Sequence, residues 1–193
     1  MVSDGTTDAA FTDASAQAQT VKDLRNVGTA MFSWLTDQVG AAPPDAGSLR
    51  AVAAIRARPW ISGADGSPGV WRPALALSAL AVPIQFDYAS GSPVDLSVIP
   101  EISRSELEKV LVPTYIQEVP EADGWGNRYA YHLDVVNVLN RQVMAIRSPG
   151  RDGAYSGSGL NYVIGAFPPT DYDEDIVWSD GFFVRWPDKT NGM

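Results

Sequence analysis

The last third of the chain, residues 123–187, alternates turn-forming segments with short strand-like runs. Glycine- and aspartate-rich turns occur at residues 123–127, 148–153 and 171–175. The runs between them are short and rich in β-branched and aromatic residues, which is typical of strands. Strands that follow one another through short connections usually pair with each other, so the pattern predicts a small antiparallel sheet.

The predicted strands are bounded by these turns. Ser179, Asp180 and Gly181 separate two apolar runs, which is a strong hairpin signal. The strands predicted from alternation and composition cover residues 129–134, 142–147, 161–166, 176–178 and 182–186.

A long helix is predicted for residues 14–40. Its apolar stripe comprises Val21, Leu24, Gly28, Met31 and Leu35, with Val27 and Trp34 widening it. Gly40 is a natural C-terminal cap, and the following proline pair prevents the helix from resuming. Gly28 lies on the apolar face, where it either admits a bulky neighbour or is simply a tolerated helix glycine.

The remaining segments complete the predicted organisation. Residues 1–13 are predicted to be a disordered tail, and residues 48–100 form an insert. The insert is predicted to hold a short helix at 48–58 and a loop at 86–100. Residues 103–187 then contain a helix, opened by the capping box of Ser103 and Glu106 and ended by Pro113, and the β-rich head. The 193 residues are thus expected to form one α+β domain, a long helix packed on a small antiparallel sheet.

Composition excludes several functional classes. The formal net charge is −9, so a phosphate backbone would be repelled and no nucleic-acid partner is expected. The sequence contains no cysteine, which excludes disulfides, thiolate catalysis and cysteine-ligated zinc. It also has no apolar run long enough to span a bilayer.

Catalytic motifs are few, and no enzyme is expected. His132 is the single histidine and lies in a predicted strand, where a structural role is the expectation. No serine occupies a Gly-x-Ser-x-Gly turn, and neither a phosphate-binding loop nor a dinucleotide-binding loop is present. A hydrolase based on a carboxylate pair stays open, although the sequence singles out no pair.

The acidic turns contain the oxygen donors that calcium prefers. Asp152 lies in a tight loop with exposed carbonyls, and Asp171, Asp173 and Asp175 alternate along the chain. An EF-hand is excluded because Ile176 stands where that loop needs glycine, and the closing glutamate is missing. From the residues alone, calcium, magnesium and a solvated acidic turn all remain open.

The same turns carry a family resemblance. The Asp-Gly-Trp-Gly-Asn motif at 123–127, the loop at 148–153 and the Asp-Glu-Asp-Ile segment at 173–176, in this order, resemble the major pseudopilin of the type II secretion system, a type IV pilin-like protein. Residues 23–30 look like the exposed half of that family's long helix. The resemblance implies a calcium ion (Ca2+) held by the carbonyl of Pro149 and by Asp152, Asp173 and Asp175, with Asp171 a weaker candidate.

The resemblance also implies a function. It predicts a non-enzymatic, calcium-stabilised structural protein of the periplasm or cell envelope, with other pseudopilin subunits or secretion-machinery proteins as partners. The family's apolar half-helix, with its glycine cleavage site, is absent from this sequence, so membrane contact would come only through a segment the chain lacks. The insert at 48–100 is a second departure. The alternative is a soluble secreted or periplasmic calcium-binding domain that binds a ligand or protein through this insert.

Overall fold

The structure, a computed structural model, describes residues 5–41, 90–138, 140–156 and 160–188. It confirms the α+β fold: a long N-terminal helix packs on a sheet that is mainly antiparallel. The predicted helix at 48–58 lies outside the described residues. Within the part of the chain that is described, no helix is both long and apolar enough to cross a bilayer.

Helix α1 extends over Gly5–Ala41, and its buried stripe is the predicted one. Leu24, Val27 and Met31 are almost fully buried. The helix begins at Gly5 rather than near residue 14, so residues 5–13, predicted as part of a disordered tail, are helical. At the end of this segment Asp13 is bonded to Arg151 in the head, a tertiary contact of which local composition gives no sign.

Eight short strands and a second helix follow α1 in the described residues. A 3-10 helix, η1 (Leu96–Val98), lies between the first two strands, and helix α2 (Arg104–Leu111) lies between the second and third. The strands are β1 (Pro93–Asp95), β2 (Glu101–Ile102), β3 (Ala130–Leu133), β4 (Met144–Ser148), β5 (Asn161–Val163), β6 (Gly165–Phe167), β7 (Ile176–Ser179) and β8 (Phe182–Pro187).

Two sequence predictions are wrong: the loop at 86–100 and the single strand at 161–166. The loop predicted at 86–100 contains β1 and η1, because Val94 and Leu96 are buried in a core and Asp95 caps η1 by accepting from the Ser97 N–H. The single strand predicted at 161–166 is split at Ile164 into β5 and β6, which belong to different sheets.

The main sheet has six strands in the order β2-β3-β4-β7-β8-β6, and β1 pairs with β5 in a separate two-stranded ribbon. The pairs are antiparallel, as predicted, except that β6 runs parallel to β8. The predicted hairpin joins β7 to β8. Both turn residues have positive φ, +46° at Asp180 and +106° at Gly181, as a type I′ turn requires.

The main sheet is covered on both faces. Alternate residues of β4 and β7 point to opposite sides, so Ile146 and Trp178 face α1 and α2 while Ala145 and Val177 face the β1–β5 ribbon. The described residues therefore form three layers: helices, six-stranded sheet and ribbon. Each interface between layers has its own apolar core.

One local prediction is confirmed at atomic level, and one alternative that the sequence left open is decided. Helix α2 begins with the capping box, in which Ser103 accepts from the Glu106 N–H and Glu106 accepts from the Ser103 N–H, and it ends before Pro113. Gly28 of α1 admits a bulky neighbour: a Cβ atom added there would lie 2.5 Å from Cε2 of Trp178. The helix can approach the sheet this closely because position 28 has no side chain.

Candidate functional site

The first of the three predicted turns is built around Asp123. This carboxylate is buried, and its Oδ1 accepts from the backbone N–H groups of Trp125 at 3.0 Å and Asn127 at 2.9 Å. The side chain thus fixes the turn that follows it, as Asp residues do in Asx turns. Gly126 adopts a φ of +93°, a conformation that favours glycine.

The turn at 123–127 is fastened to the loop at 148–153. The Ser148 hydroxyl donates to Oδ2 of Asp123 at 2.7 Å, and Nδ2 of Asn127 donates to the Gly150 carbonyl at 2.7 Å. Gly153 has a φ of +71°, and a Cβ there would lie 2.9 Å from Oδ1 of Asn127. The two motifs that the sequence pattern singled out are therefore in direct contact.

The loop at 148–153 in turn contacts the loop at 171–175. The Arg151 N–H donates to the Tyr172 carbonyl at 2.8 Å. The Arg151 guanidinium donates through Nε and NH2 to both carboxylate oxygens of Asp173, at 2.8 and 2.9 Å. A Cβ on Gly150 would lie 2.7 Å from the Tyr172 carbonyl oxygen, so only glycine allows this approach. We call the segments 123–127, 148–153 and 171–175 together the three-turn cluster.

The three-turn cluster docks on the N-terminal half of α1. Nε1 of Trp125 donates to Oδ1 of Asp13 at 3.1 Å, and the Gly124 N–H donates to the Thr20 hydroxyl at 2.9 Å. The Gly124 backbone is in contact with the backbone of Ala16, which leaves no room for a side chain at position 124. The helix and the cluster are thus held together by backbone packing as well as by side-chain bonds.

The structure gives the predicted calcium ligands separate environments. Asp173 is exposed, and the hydrogen bonds from Arg151 lower the pKa of its carboxyl. Asp152 is exposed, and its Oδ1 accepts from the Ala154 N–H at 2.9 Å. Asp175 is completely buried, and its burial raises the pKa of the carboxyl.

The two remaining predicted calcium ligands, Pro149 and Asp171, also lie in different environments. Pro149 is buried in the 148–153 loop, and the weaker candidate Asp171 is exposed. The backbone N–H of Asp171 donates to the Pro168 carbonyl at 2.9 Å. The two predicted loops therefore meet, as the resemblance implies, while their carboxylates are engaged by different partners.

A calcium site does not fit this arrangement. Calcium needs six to eight converging oxygens, yet the described residues contain no group of three or more His, Asp or Glu side chains that could hold a metal ion. Both oxygens of Asp173 face a guanidinium, whose charge would repel a divalent cation. Calcium binding at Pro149, Asp152, Asp173 and Asp175 stays a prediction, in which Arg151 would compete with the ion for Asp173.

A second polar group, which sequence reasoning missed, lies between the main sheet and the ribbon. Asp175 accepts from the Tyr162 hydroxyl at 2.7 Å, and NH1 of Arg147 donates to the same hydroxyl at 3.2 Å. Nε of Arg147 donates to Nε2 of His132 at 3.2 Å. We call these four buried side chains, Asp175, Tyr162, Arg147 and His132, the buried polar network.

Two further contacts extend the buried polar network. Nδ1 of His132 lies 3.2 Å from the Ile99 carbonyl, and Asp175 also accepts from the Ser156 N–H. The Arg147 guanidinium stacks on the Tyr155 ring, with Cζ 4.1 Å from the ring centre. These contacts connect the main sheet to β5 and to the residue that follows η1.

The hydrogen bonds define the state of His132. Arg147 can only donate, so Nε2 of His132 must accept and the proton of the neutral ring must reside on Nδ1, which donates to Ile99. Burial lowers the pKa of His132, which agrees with a neutral ring. With both ring nitrogens bonded and no surface exposed, His132 has the structural role expected from its position in a strand.

Comparisons with protein-family models, with curated proteins and with solved structures find no match to this chain. The contacts of the chain itself therefore carry the functional proposal.

A groove of about 450 Å3 lies beside α2, away from the three-turn cluster. Trp34, Val110 and Val136 contribute to its apolar wall, and Glu106 is one of its acidic residues. Glu106 is part of the capping box, and its hydrogen bonds with Ser103 lower the pKa of its carboxyl. A general acid needs a raised pKa, so this carboxyl is unsuited to that role.

One sequence signal could have revealed the buried polar network. Arg147 is the single charged residue of β4, a strand that is buried throughout. A buried arginine requires partners, and the Tyr at the centre of β5 and the lone His132 were available to supply them. The pairing itself depends on strand order, which the sequence does not show.

Proposed function

We propose that this chain is a non-enzymatic structural domain of the pseudopilin type, acting in a type II secretion or type IV pilus-like assembly of the cell envelope. One observation carries the proposal. The three motifs responsible for the resemblance, distant from one another in sequence, form a single cluster that docks on the long helix.

A subunit of such an assembly needs a long helix held rigidly by its head, with another helix face available to neighbours. One face of α1 is buried against the main sheet and α2. The opposite face is exposed and polar, and it includes Lys22, Asn26, Thr29 and Ser33. Partners are other subunits or secretion-machinery proteins in the periplasm or cell envelope, and they would meet this exposed face.

The side chains with catalytic potential support a structural role. His132 has both nitrogens occupied inside the protein, and Asp175 is enclosed with Tyr162. Asp123 is used to fix a turn. These groups have the partners that stabilise a fold, and none of the three presents its polar atoms to a substrate-sized cavity.

Cross-linking in cells tests the proposal directly. The sequence contains no cysteine, so introduced cysteines are the sole thiols. A Lys22→Cys, Ser33→Cys double variant of the protein, expressed in its native host and treated with a bifunctional maleimide, should give a ladder of multimers. Two thiols per chain are used because one thiol can form only dimers.

The matched control places both thiols on the opposite side of the molecule. Val98 and Val163 are 53% and 56% exposed, next to and within the β1–β5 ribbon. The Val98→Cys, Val163→Cys variant should give no ladder. A folded α1 variant that stays monomeric under these conditions would overturn the proposal and favour a protein that acts alone.

A further inference from the structure

We propose that Arg151 takes the place of a metal ion as the positive charge that joins the three-turn cluster, so that the cluster is stable without calcium. This differs from what the family resemblance implies for the same residues. It does not depend on the proposed pseudopilin function, because it concerns only how the loops are held together.

The Arg151 side chain binds two carboxylates from different parts of the chain. Nε and NH2 donate to Asp173, and NH1 donates to Asp13 of α1 at 3.0 Å. The guanidinium is planar and permanently charged, and its fork of N–H donors matches a carboxylate with two parallel bonds. Arg151 therefore binds two carboxylates in one place with a single positive charge.

The backbone of Arg151 also contacts the 171–175 loop. The Arg151 N–H donates to the Tyr172 carbonyl, and its Cζ lies 5.7 Å from the centre of the Tyr172 ring. Arg151 thus contacts the 171–175 loop through main chain, charge and aromatic stacking. It connects residues 13, 151 and 173, which are far apart in sequence, in a chain that has no disulfide to do so.

Calcium and Arg151 would compete for Asp173. Both carboxylate oxygens accept from the guanidinium, and a divalent cation beside it would meet electrostatic repulsion. The arginine also has an entropic advantage, because it belongs to the chain and its loop is already positioned by Asn127 and Ser148. The other two predicted carboxylates, Asp152 and Asp175, have backbone and tyrosine partners of their own.

Thermal unfolding of the full chain tests this inference. The parent should have the same Tm in a strong chelator, in plain buffer and in millimolar calcium chloride. Arg151→Gln should lower Tm by about 2–4 °C in all three conditions, because an exposed but bidentate ion-pair network contributes modestly. Arg128→Gln is the matched control: Arg128 is also a loop arginine, but its contact with Glu121 is long at 3.8 Å, and its Tm should stay parental.

A double-mutant cycle separates the pair from a general loss of folding. Asp173→Asn keeps the shape of the side chain and removes its charge. The Arg151→Gln, Asp173→Asn double variant should lose less stability than the sum of the losses of the two single variants, because both substitutions remove the same interaction. Two results would overturn the inference: a parent Tm that falls in chelator and recovers with calcium, or an Arg151→Gln variant with the parental Tm. Neither result bears on the cross-linking test of assembly, so the two proposals fail independently.

Discussion

Arg147 donates its Nε–H to Nε2 of His132 at 3.2 Å, inside the core between the main sheet and the ribbon. The bond needs a histidine lone pair, so it exists only while the ring is neutral. Protonation would place an N–H and a permanently charged guanidinium against each other. Since Nδ1 already donates to the Ile99 carbonyl, the ring cannot turn to avoid this conflict without losing that bond.

The protein should lose stability as the pH falls through the range in which an ordinary histidine titrates. Burial lowers the pKa of His132 below its usual 6.5. The hydrogen bond with the Ile99 carbonyl raises the pKa by less, Arg147 lowers it and Glu101 raises it. Between the folded and the unfolded pKa the unfolded chain binds more protons. The free energy of unfolding therefore rises with pH in this window and levels off above about 6.5.

Urea unfolding at several pH values between about 5 and 8 measures this dependence. A His132→Gln variant has no titrating group at this position, so its stability should change less with pH over the same window. Equal slopes for parent and variant would show that His132 is not the responsible group. A parent whose stability rises on acidification across this window would contradict the neutral state of the His132 ring.

Gly28→Ala should destabilise the protein although alanine is the better helix former. Alanine in a helix interior gains up to about 1 kcal/mol in propensity. The added Cβ, however, would lie 2.5 Å from the ring of Trp178, which is packed in the core. Overpacking of this kind costs about 1–3 kcal/mol, so a net loss of up to about 2 kcal/mol is expected.

The control for Gly28→Ala is Asn26→Ala, on the exposed face of the same helix. There the propensity gain acts without a packing penalty, so stability should stay at the parental value or rise slightly. Chemical denaturation of both variants gives the comparison. A Gly28→Ala protein as stable as Asn26→Ala would mean that α1 and β7 are farther apart than described.

The elements predicted from the sequence are those whose cause is local. The α1 stripe, the α2 capping box and the hairpin at Asp180 and Gly181 depend on residues within a few positions of one another, and each is confirmed. The first turns of α1 and strand β1 were missed because their partners, Arg151 and β5, are distant in sequence. Composition alone classified both segments as irregular.

In the candidate site, too, the features with local causes were predicted and those that depend on distant residues were not. The glycine and aspartate turns were recognised and do meet, because their composition reflects backbone conformations such as the positive φ of Gly150 and Gly153. Which side chain faces which carboxylate depends on loop placement. The pairing of Arg151 with Asp173 could not be predicted, since an arginine between two glycine turns is equally compatible with a solvated surface.

Asp123→Ala should be among the more damaging substitutions in the three-turn cluster. It removes the acceptor of two backbone N–H groups and of the Ser148 hydroxyl, at a position only 6% exposed. Buried donors left without a partner, together with lost hydrogen bonds to a charged group, should cost about 2–3 kcal/mol. Asp152→Ala, an exposed control with one backbone contact, should stay within about 0.5 kcal/mol of the parent. Equal losses for the two variants would contradict the central place of Asp123.

Tyr162→Phe tests whether the buried polar network holds the ribbon to the main sheet. The substitution keeps the ring, which is only 6% exposed, and removes one hydroxyl that donates to Asp175 and accepts from Arg147. Both charged partners would lose a bond inside the protein, so the free energy of unfolding should fall by about 2–3 kcal/mol. The hydrogen bond from Tyr162 lowers the pKa of Asp175. Its removal should therefore raise the pKa of Asp175 further.

Tyr155→Phe is the matched control for Tyr162→Phe. Its ring also contacts Arg147, but its hydroxyl contacts backbone groups: two carbonyl oxygens at 3.4 and 3.5 Å, distances at the limit of a hydrogen bond, and the backbone of Ala130. The phenylalanine keeps the stacking, so stability should change little.

Hydrogen exchange adds a local readout: in Tyr162→Phe the amides of β1 and β5 should lose protection before those of β3 and β4. Protection that falls equally in all four strands, or a Tyr155→Phe loss as large as that of Tyr162→Phe, would show that the network does not specifically attach the ribbon.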